Sequence, residues 1–280
     1  MSFLELFDET LDINSTGNYE MSLQVSPDSL TFCILDTIRN KYILIRSFHP
    51  EKNRIFSSEQ LGELVGKDDF LSRNFKKVHI IMPSPKFTLI PSPLYDPARK
   101  NDYFLFNHIA SESHIILNNK LSEPDSFLLF AVSKPLFELM QEHFPSVHPM
   151  HHLRVLLDHI SHAKKDTADN YIHVHVEADY FNLLIYSNNI LQFSNTFNYR
   201  NISDILYFIL NVFRNLGINQ EETIYLSGQT ERYDELYSNI TLYVRNVRFS
   251  EPFGSFTFSY VFNDTDLHRY LNLLSVVNCE

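Results

Sequence analysis

Apolar and polar residues alternate along two long stretches of the chain, residues 21–48 and residues 170–197. Each stretch is interrupted twice by turn-forming residues: Pro27-Asp28, Arg39-Asn40, residues 177–179 and residues 187–189. A period of two is typical of strands with one buried face, and Pro, Asp and Asn favour turns. Each stretch therefore predicts a meander of three antiparallel strands.

A helix and then a further strand are predicted after each meander. The first helix covers residues 57–66, and the second covers residues 201–217 and ends at Gly217. Ser and Asn favour the N-cap and Gly favours the C-terminal end. The N-cap candidates are Ser57 or Ser58 and Asn201 or Ser203. The strands that follow lie at residues 78–85 and 223–230. The same order of elements occurs twice. This predicts an internal duplication that is visible in the order of secondary structure but not in amino-acid identity.

The remaining segments divide the chain into two predicted domains. Residues 126–145 predict a buried strand and a helix that begins near Pro135, where a missing N–H is tolerated. A second helix follows, and residues 164–170 form the best linker. The predicted domains are residues 1–165 and residues 166–280. The C-terminal predictions are a strand at residues 253–263 and a closing helix capped by Asp264 or Thr265.

Prolines and aromatic residues are concentrated in one segment of the first domain. The prolines are Pro83, Pro85, Pro91, Pro93 and Pro97. Because proline is excluded from strand interiors, we expect an irregular arm at about residues 83–110, either at a sheet edge or as a protruding connection. The arm contains Tyr95, Tyr103, Phe104 and Phe106 among few charges. Aromatic side chains anchor protein contacts, so the arm predicts an interface for a protein partner or for self-association, for example in a homodimer.

Composition limits the partners and the compartment. The chain has 280 residues, 44% of them hydrophobic, and a formal net charge of -11, which disfavours nucleic acid and anionic membrane surfaces. No apolar run reaches the roughly 18 residues of a spanning helix, so membrane insertion is not expected. The N-terminus is acidic where a signal peptide is basic, and two cysteines cannot form a disulfide framework. We therefore expect a cytoplasmic protein.

The repeated pattern is similar to the duplicated ribonuclease-H-like fold of actin-like ATPases. Residues 127–159 resemble a strand-helix-strand-helix passage of actin-like pilus and secretion assembly proteins. Over nearly its full length the chain is identified as a member of DUF3822, a family of Bacteroidetes proteins without an assigned activity. The segments that carry this resemblance are SLQVSPDSLTFCILD, FTLIPSPLYD, LLFAVSKPLFELMQEHFP, TIYLSGQ and the terminal NCE. The resemblance implies an α/β fold with mixed sheets and two ribonuclease-H-like domains in an actin-like ATPase arrangement.

The resemblance also implies where a nucleotide cleft would lie. The two phosphate loops of such ATPases fall on Asp28 and Ser29 and on Glu177 and Asp179, and the glycine pair of the adenosine loop falls on residues 228–229. Pro27 removes a backbone N–H from the first loop, and two carboxylates in the second would repel a phosphate unless Mg²⁺ intervened. The second glycine is replaced by Gln229. These residues indicate a vestigial cleft in which Gly228 serves only the turn.

Two functions stay open at this point. The first is a non-catalytic scaffold or interaction protein that binds no cofactor. The second is a divergent switch that binds ATP with Mg²⁺ through Asp28, Glu177 and Asp179, with Gln229 near adenine. We predict no enzymatic activity, because fold does not imply function and no catalytic signature is present. Ser227 lacks a nucleophile elbow, and Cys33 lies in a strand that should bury it.

Histidines cluster between residues 143 and 162. The cluster consists of His143, His148, His151, His152, His159 and His162. His152, His159 and His162 could share a helical face and bind zinc, but structural zinc sites usually contain cysteine ligands or tight i,i+4 pairs. We therefore predict solvated or hydrogen-bonded imidazoles and no metal. His173 and His175 should point to one face of a central strand as hydrogen-bonded sheet residues.

Overall fold

A computed structural model describes residues 2–51, 54–109, 111–163 and 170–279. Within these residues the chain forms two compact units. Unit 1 comprises residues 1–157, 253–265 and 272–280, and unit 2 comprises residues 158–252 and 266–271.

The main sheet of unit 1 has the predicted meander at its centre. Its elements are β1 (Ser2–Phe7), β2 (Tyr19–Ser26), β3 (Ser29–Asp36), β4 (Lys41–His49), helix α1 (Ser58–Lys67) and β5 (Lys77–Ile81). The strand order is β1-β4-β3-β2-β5, with β2, β3 and β4 antiparallel and β5 parallel to β2. Asn40 has φ 52°, which closes the turn before β4 at the predicted break. The edge strand β1 has no counterpart in the sequence predictions.

A second sheet of unit 1 begins in the segment predicted as an irregular arm. Its elements are β6 (Phe87–Pro91), helix α2 (Lys100–Asn107), β7 (His114–Leu121) and β8 (Ser126–Ser133), followed by helices α3 (Lys134–His143) and α4 (His152–Ala163). The order β6-β8-β7 puts β6 at an edge and β8 in the middle. Residues 87–91 thus form an edge strand, one of the two arrangements expected for the proline-rich segment. An edge strand tolerates proline because its outer N–H groups need no partner, and Pro91 is the last residue of β6.

Unit 2 contains the second predicted meander. Its elements are β9 (Tyr171–Val176), β10 (Tyr180–Ser187), β11 (Ile190–Asn198), helix α5 (Ile202–Leu216), β12 (Thr223–Gly228), helix α6 (Glu235–Thr241) and β13 (Asn246–Phe249). The order is β11-β10-β9-β12-β13, with β12 parallel to β9 and β13 parallel to β12. Asn188 and Asn189 have φ 50° and 63°, as a tight hairpin with two left-handed residues requires.

The two units share one topology. In each, three antiparallel strands are followed by a helix and by a strand that pairs in parallel with the first strand of the meander. The series β4-β3-β2-β5 thus corresponds to β11-β10-β9-β12. The predicted internal duplication is confirmed at the level of strand order.

The helices that follow the meanders are capped by the residues proposed from sequence. Ser57 accepts the N–H of Gln60 at 3.2 Å, and the side chain of Gln60 accepts the N–H of Ser57 at 3.0 Å. Asn201 and Asp204 form the same reciprocal cap on α5. Gly217 follows α5 with φ 67°, which suits glycine at a helix end. Ser57 and Asn201 are therefore the N-caps.

The sheet of unit 2 has two different faces. One is apolar and packs against α5 and α6, as expected for a sheet covered by amphipathic helices. Its buried strand residues are Ile172, Val174, Val176, Phe181, Leu183, Ile185, Ile224 and Leu226. The opposite face of β9 carries His173 and His175, which are 0% and 3% exposed. The prediction that these two histidines lie on a central strand is confirmed.

The C-terminal predictions were largely wrong. Only β14 (Thr257–Phe258) is a strand in the segment predicted as one, and it pairs with β4 before a 3-10 helix at Tyr260–Phe262. The closing helix is short, α7 (Leu271–Ser275), between two 3-10 helices. The first of these begins after Asp266 rather than after Asp264 or Thr265. Local alternation could not reveal that pairing ends after two residues.

Residues 253–265 and 272–280 pack with unit 1, although the sequence assigned residues 166–280 to the second domain. Tyr42 Oη donates to the Leu274 carbonyl at 2.9 Å, and both side chains are buried. These long-range contacts attach the C-terminal segment to the first sheet, and no local sequence signal reports them. The predicted linker, residues 164–170, lies outside the described residues except for Asn170.

Candidate functional site

The first predicted phosphate loop is a tight hairpin whose polar side chains bind one another. Ser26 Oγ donates to Asp28 Oδ1 at 2.5 Å and lies 2.8 Å from Ser29 Oγ. The Pro27 carbonyl accepts the N–H of Phe56 at 2.7 Å. The carboxylate of Asp28 and the hydroxyl of Ser29 thus already have hydrogen-bond partners inside unit 1.

The second predicted phosphate loop, in unit 2, is closed by Tyr199. The N–H of Tyr199 donates to the Asp179 carbonyl at 3.1 Å, and its hydroxyl donates to the Glu177 carbonyl at 2.6 Å. The N–H of Glu177 donates to the Tyr180 carbonyl at 2.9 Å. The backbone of this turn is therefore held by neighbouring strands, while the side chain of Asp179 is exposed.

The predicted adenosine loop lies beside this turn. Because β12 pairs in parallel with β9, Gly228 is placed opposite Val176. Gly228 has φ 83°, and the N–H of Gln229 donates to the Val176 carbonyl at 2.8 Å. The structure thus brings Glu177 and Asp179 to the same end of one sheet as Gly228 and Gln229. Asp28 and Ser29 belong to unit 1.

A buried chain of hydrogen bonds runs across the polar face of the unit 2 sheet. Ser227 Oγ lies 2.7 Å from both His173 Nε2 and His175 Nδ1. His175 Nε2 lies 3.3 Å from Glu177 Oε1, and Ser250 Oγ lies 3.3 Å from His173 Nδ1. The chain links β9, β12 and the residue after β13 and ends at the predicted loop.

The carboxylate fixes the direction of these hydrogen bonds. Glu177 can only accept, so His175 Nε2 donates to it, and in the neutral imidazole Nδ1 then accepts from Ser227. Ser227 Oγ then accepts from His173 Nε2–H, and His173 Nδ1 accepts from Ser250. Burial, followed by His175 and His159, lowers the pKa of His173 well below its usual value. Serine, histidine and carboxylate follow one another here as in a catalytic triad. Ser227 differs from a triad nucleophile, because it is 0% exposed and its oxygen is shared by two imidazoles.

The histidine cluster of residues 143–162 does not form a common site. His143, His148 and His162 are exposed, whereas His151, His152 and His159 are buried. His151 Nε2 donates to the Ser84 carbonyl at 2.9 Å, and His162 Nδ1 lies 2.8 Å from the Asp158 carbonyl. Within the described ranges, no three His, Cys, Asp or Glu side chains are grouped closely enough to hold a metal ion.

The arm is ordered and presents apolar side chains to solvent. Phe104 is buried among β6, β7 and β8, and Tyr95 stacks on Phe127 with ring centroids 4.0 Å apart. Of the four aromatic residues predicted to mediate contacts, Phe106 alone is highly exposed, at 89%. Three aliphatic residues of the arm are also exposed: Leu94 (67%), Leu105 (52%) and Ile109 (86%). We call these four residues the arm patch.

A family model described as protein of unknown function (DUF3822) matches residues 8–247. The chain belongs to the DUF3822 family. Its fold is that of the actin-like ATPases, as a solved protein from Bacteroides thetaiotaomicron shows. That protein has an actin-like ATPase fold and unknown function, and it matches with TM-score 0.83 and 20% identity over 97% of this chain and 100% of its own. Among curated proteins, none matches this chain.

The PilM–PilN type IV pilus biogenesis complex also contains a chain of this fold. It matches with TM-score 0.58 and 10% identity over 93% of this DUF3822 chain and 98% of the other chain. At such identities the likeness concerns the fold alone. Among the described residues, no helix is long and apolar enough to cross a membrane.

Sequence reasoning missed the Glu177–His175–Ser227–His173 chain of this family member. It placed both histidines on one face, but whether Ser227 faces them depends on the register between β9 and β12. That register pairs Ser227 with His175 and Tyr225 with His173. A one-residue shift of β12 along β9 would turn the Ser227 hydroxyl to the opposite face of the sheet. The register between two distant strands cannot be deduced from a single sequence.

Proposed function

We propose that this DUF3822 chain is a non-catalytic interaction protein that contacts a protein partner, or a second copy of itself, through the arm patch. The observation that carries the proposal is the exposure of Leu94, Leu105, Phe106 and Ile109 on an ordered arm. Exposed large apolar side chains grouped on one segment are a common feature of protein interfaces. Buried Phe104 anchors the helix on which Phe106 is displayed.

The local geometry of the first predicted phosphate loop and of the predicted adenosine loop supports a role without nucleotide turnover. Pro27 offers no N–H, and the side chains of Ser26, Asp28 and Ser29 are hydrogen-bonded to one another. The Gly228 backbone contacts Val176 instead of leaving a cradle for a ligand. Phosphate cradles depend on free backbone N–H groups, so these contacts favour a scaffold. We place the scaffold in the cytoplasm.

The solved complex of PilM with PilN supports a protein partner, since a chain of the same fold occurs there in an assembly. The likeness identifies no partner for this chain. The apolar side chains of the arm patch favour an apolar surface on the partner. A homodimer satisfies this requirement as well as a different protein does.

A second candidate function is a switch that binds ATP with Mg²⁺. One observation favours it: the hairpins β2–β3 and β9–β10 occupy equivalent positions in the two topologies, and both carry acidic residues. Those residues are Asp28, Glu177 and Asp179. Carboxylate oxygens suit Mg²⁺, which would then mediate contact with phosphates.

Photo-crosslinking in cells tests the interaction function directly. A benzophenone amino acid at position 106 should give one discrete adduct, either with a second copy or with another protein. The same residue at position 242 is the matched control, because Leu242 is 74% exposed but lies in unit 2, far along the chain from the arm. Adducts of equal yield at both positions, or none at 106, would count against the arm patch.

Light scattering separates the two kinds of partner. If the partner is a second copy, mass should rise with concentration, and Phe106→Asp should keep the chain monomeric while Leu242→Asp should not. A strict monomer that still gives a discrete adduct at position 106 assigns the arm to a different protein.

A further inference from the structure

A groove of about 720 Å³ opens in unit 1. Its lining comes from β1, β4, the segment that follows β4, and helix α1. Apolar lining residues are Phe3, Phe48, Pro50, Ile55, Phe56 and Leu64. Ile55 is 69% exposed and Phe3 is 53% exposed, so part of this apolar wall faces solvent.

The strand beside the groove has an open edge. β1 is the terminal strand in the sheet order, and in the described part of the chain β4 is the strand that pairs with it. Phe3, Leu4 and Phe7 are exposed by 53%, 41% and 56%, so apolar side chains face solvent on both sides of β1. An edge of this kind is a template for another strand. A segment added there would place alternate side chains on the groove side, where Phe3 and Glu5 lie.

At the base of the groove, carboxylates outnumber cationic side chains. The Arg46 guanidinium forms ion pairs with Glu5 and with Asp68, the latter at 2.6 Å. The rings of Phe3, Phe32 and Phe70 lie 5.2 to 5.8 Å from its central carbon. One cation thus serves two carboxylates and is enclosed by aromatic rings, so it offers little attraction to an anion.

The rim is acidic as well. Two ion pairs lie on the rim: Glu51 with Arg54 at 3.0 Å and Glu63 with Lys67 at 2.7 Å. Asp69 adds a further carboxylate to the groove lining. Among the described lining residues, five carboxylates therefore face three cationic side chains. Complementary potential favours a cationic partner. With a net charge of -11, a second copy of this chain is a poor source of the cationic segment that this acidic groove favours.

We propose that this groove binds an extended, cationic segment of another protein, which adds to β1 as a strand and places alternate apolar side chains against Phe3, Phe48 and Ile55. Other groove-facing positions of the segment carry lysine or arginine side chains that reach the carboxylates of Glu63 and Asp69, while the intervening side chains point to the opposite face of the sheet. This surface does not include the arm patch, and the inference does not depend on the function proposed for it.

Calorimetric titration with synthetic peptides tests the proposal. The probe is an octapeptide that places valine and lysine in turn on one face of a strand and threonine on the other. The controls are the analogue with glutamate in place of lysine and the probe with alternate backbone amides methylated. We expect saturable binding of the probe and at least about tenfold weaker binding of both controls, since each lacks either the charge or the strand hydrogen bonds. No saturable binding of the probe, or equal binding of either control, would overturn the proposal.

Two pairs of variants locate the binding. Ile55→Asp should weaken probe binding about tenfold, whereas Ile38→Asp, at a position 74% exposed outside the groove, should not. Glu63→Lys should weaken binding, and Glu59→Lys on the same helix should leave it nearly unchanged. Binding that survives Ile55→Asp contradicts the location. A wild-type dimer that Ile55→Asp dissociates would assign the groove to a second copy instead.

Discussion

A Cβ atom at position 228 would lie 2.1 Å from the carbonyl oxygen of Val176. The glycine of the predicted adenosine loop is thus required by a contact within the sheet of unit 2. Its φ of 83° independently disfavours any other residue. The sequence motif is explained by the turn itself.

Gly228→Ala should therefore destabilise the fold. The left-handed φ costs roughly 1–2 kcal/mol and the backbone clash adds to it, so we expect a loss of about 3 kcal/mol in the free energy of unfolding. Urea denaturation measures it. Gly66→Ala is the control: Gly66 lies in α1 with nothing within 4 Å of its added Cβ, and this change should stabilise by about 0.5–1 kcal/mol. Equal effects of the two substitutions on the free energy of unfolding would contradict the requirement for glycine at position 228.

Ser227→Ala should destabilise unit 2 although it removes one oxygen atom. The change leaves His173 Nε2 and His175 Nδ1 buried without their shared partner, which costs about 2–4 kcal/mol. Ser194 in the same sheet provides the comparison, because its buried Oγ has no hydrogen-bond partner among the described residues. Ser194→Ala should be neutral or slightly stabilising in the same denaturation assay. A neutral Ser227→Ala would show that the chain of hydrogen bonds contributes little.

Stability should fall as pH drops below about 6.5. Burial lowers the pKa of His151 to about 3 and, with a smaller contribution from His162, the pKa of His159 to about 4. The unfolded chain binds protons at these histidines near pH 6.5 while the folded chain does not, so acid favours unfolding. Each histidine should cost about 2 kcal/mol between pH 6.5 and 5, since one pKa unit corresponds to about 1.4 kcal/mol.

Thermal unfolding between pH 7.5 and 5 measures this dependence. His151→Gln should lower stability at neutral pH but give a shallower decline toward pH 5. The exposed His148→Gln should leave the slope unchanged. If wild type and His151→Gln have parallel pH profiles, His151 is not held neutral by the fold.

Asp8→Asn should loosen the C-terminal segment from unit 1. Asp8 is 1% exposed and its Oδ2 accepts from Ser259 Oγ at 2.6 Å and pairs with Lys41 at 2.7 Å. Removing this charge leaves Lys41 without its partner, and we expect a loss of about 2–4 kcal/mol. Faster hydrogen exchange at residues 257–262 would report the loosening. The exposed Asp12→Asn should cost less than about 1 kcal/mol, because it affects only a cap.

The elements that sequence predicted correctly are determined by neighbouring residues. Both meanders and the caps at Ser57, Asn201 and Gly217 follow from turn residues and local hydrogen bonds. The elements it missed depend on distant partners. β1 exists through pairing with β4. β14 pairs with β4 for two residues, after which Ser259 caps a 3-10 helix and donates to Asp8.

The candidate site shows the same division. The turn at Gly228 was predictable from a glycine that follows a strand. The bonds from Ser227 to His173 and His175 were not, because they require the register of parallel strands that are distant in sequence. The sequence alone does not distinguish Phe104 from Phe106. Only the packing of the folded chain shows that the first ring is buried and the second exposed.

The central claim is that this actin-like fold serves as an interaction scaffold without a nucleotide. Equilibrium titration of the full chain with ATP and Mg²⁺ tests it most directly. The scaffold predicts no saturable binding up to about millimolar ligand, which corresponds to a binding free energy weaker than about -4 kcal/mol. Saturable binding that Asp179→Ala abolishes would contradict the scaffold and establish the switch.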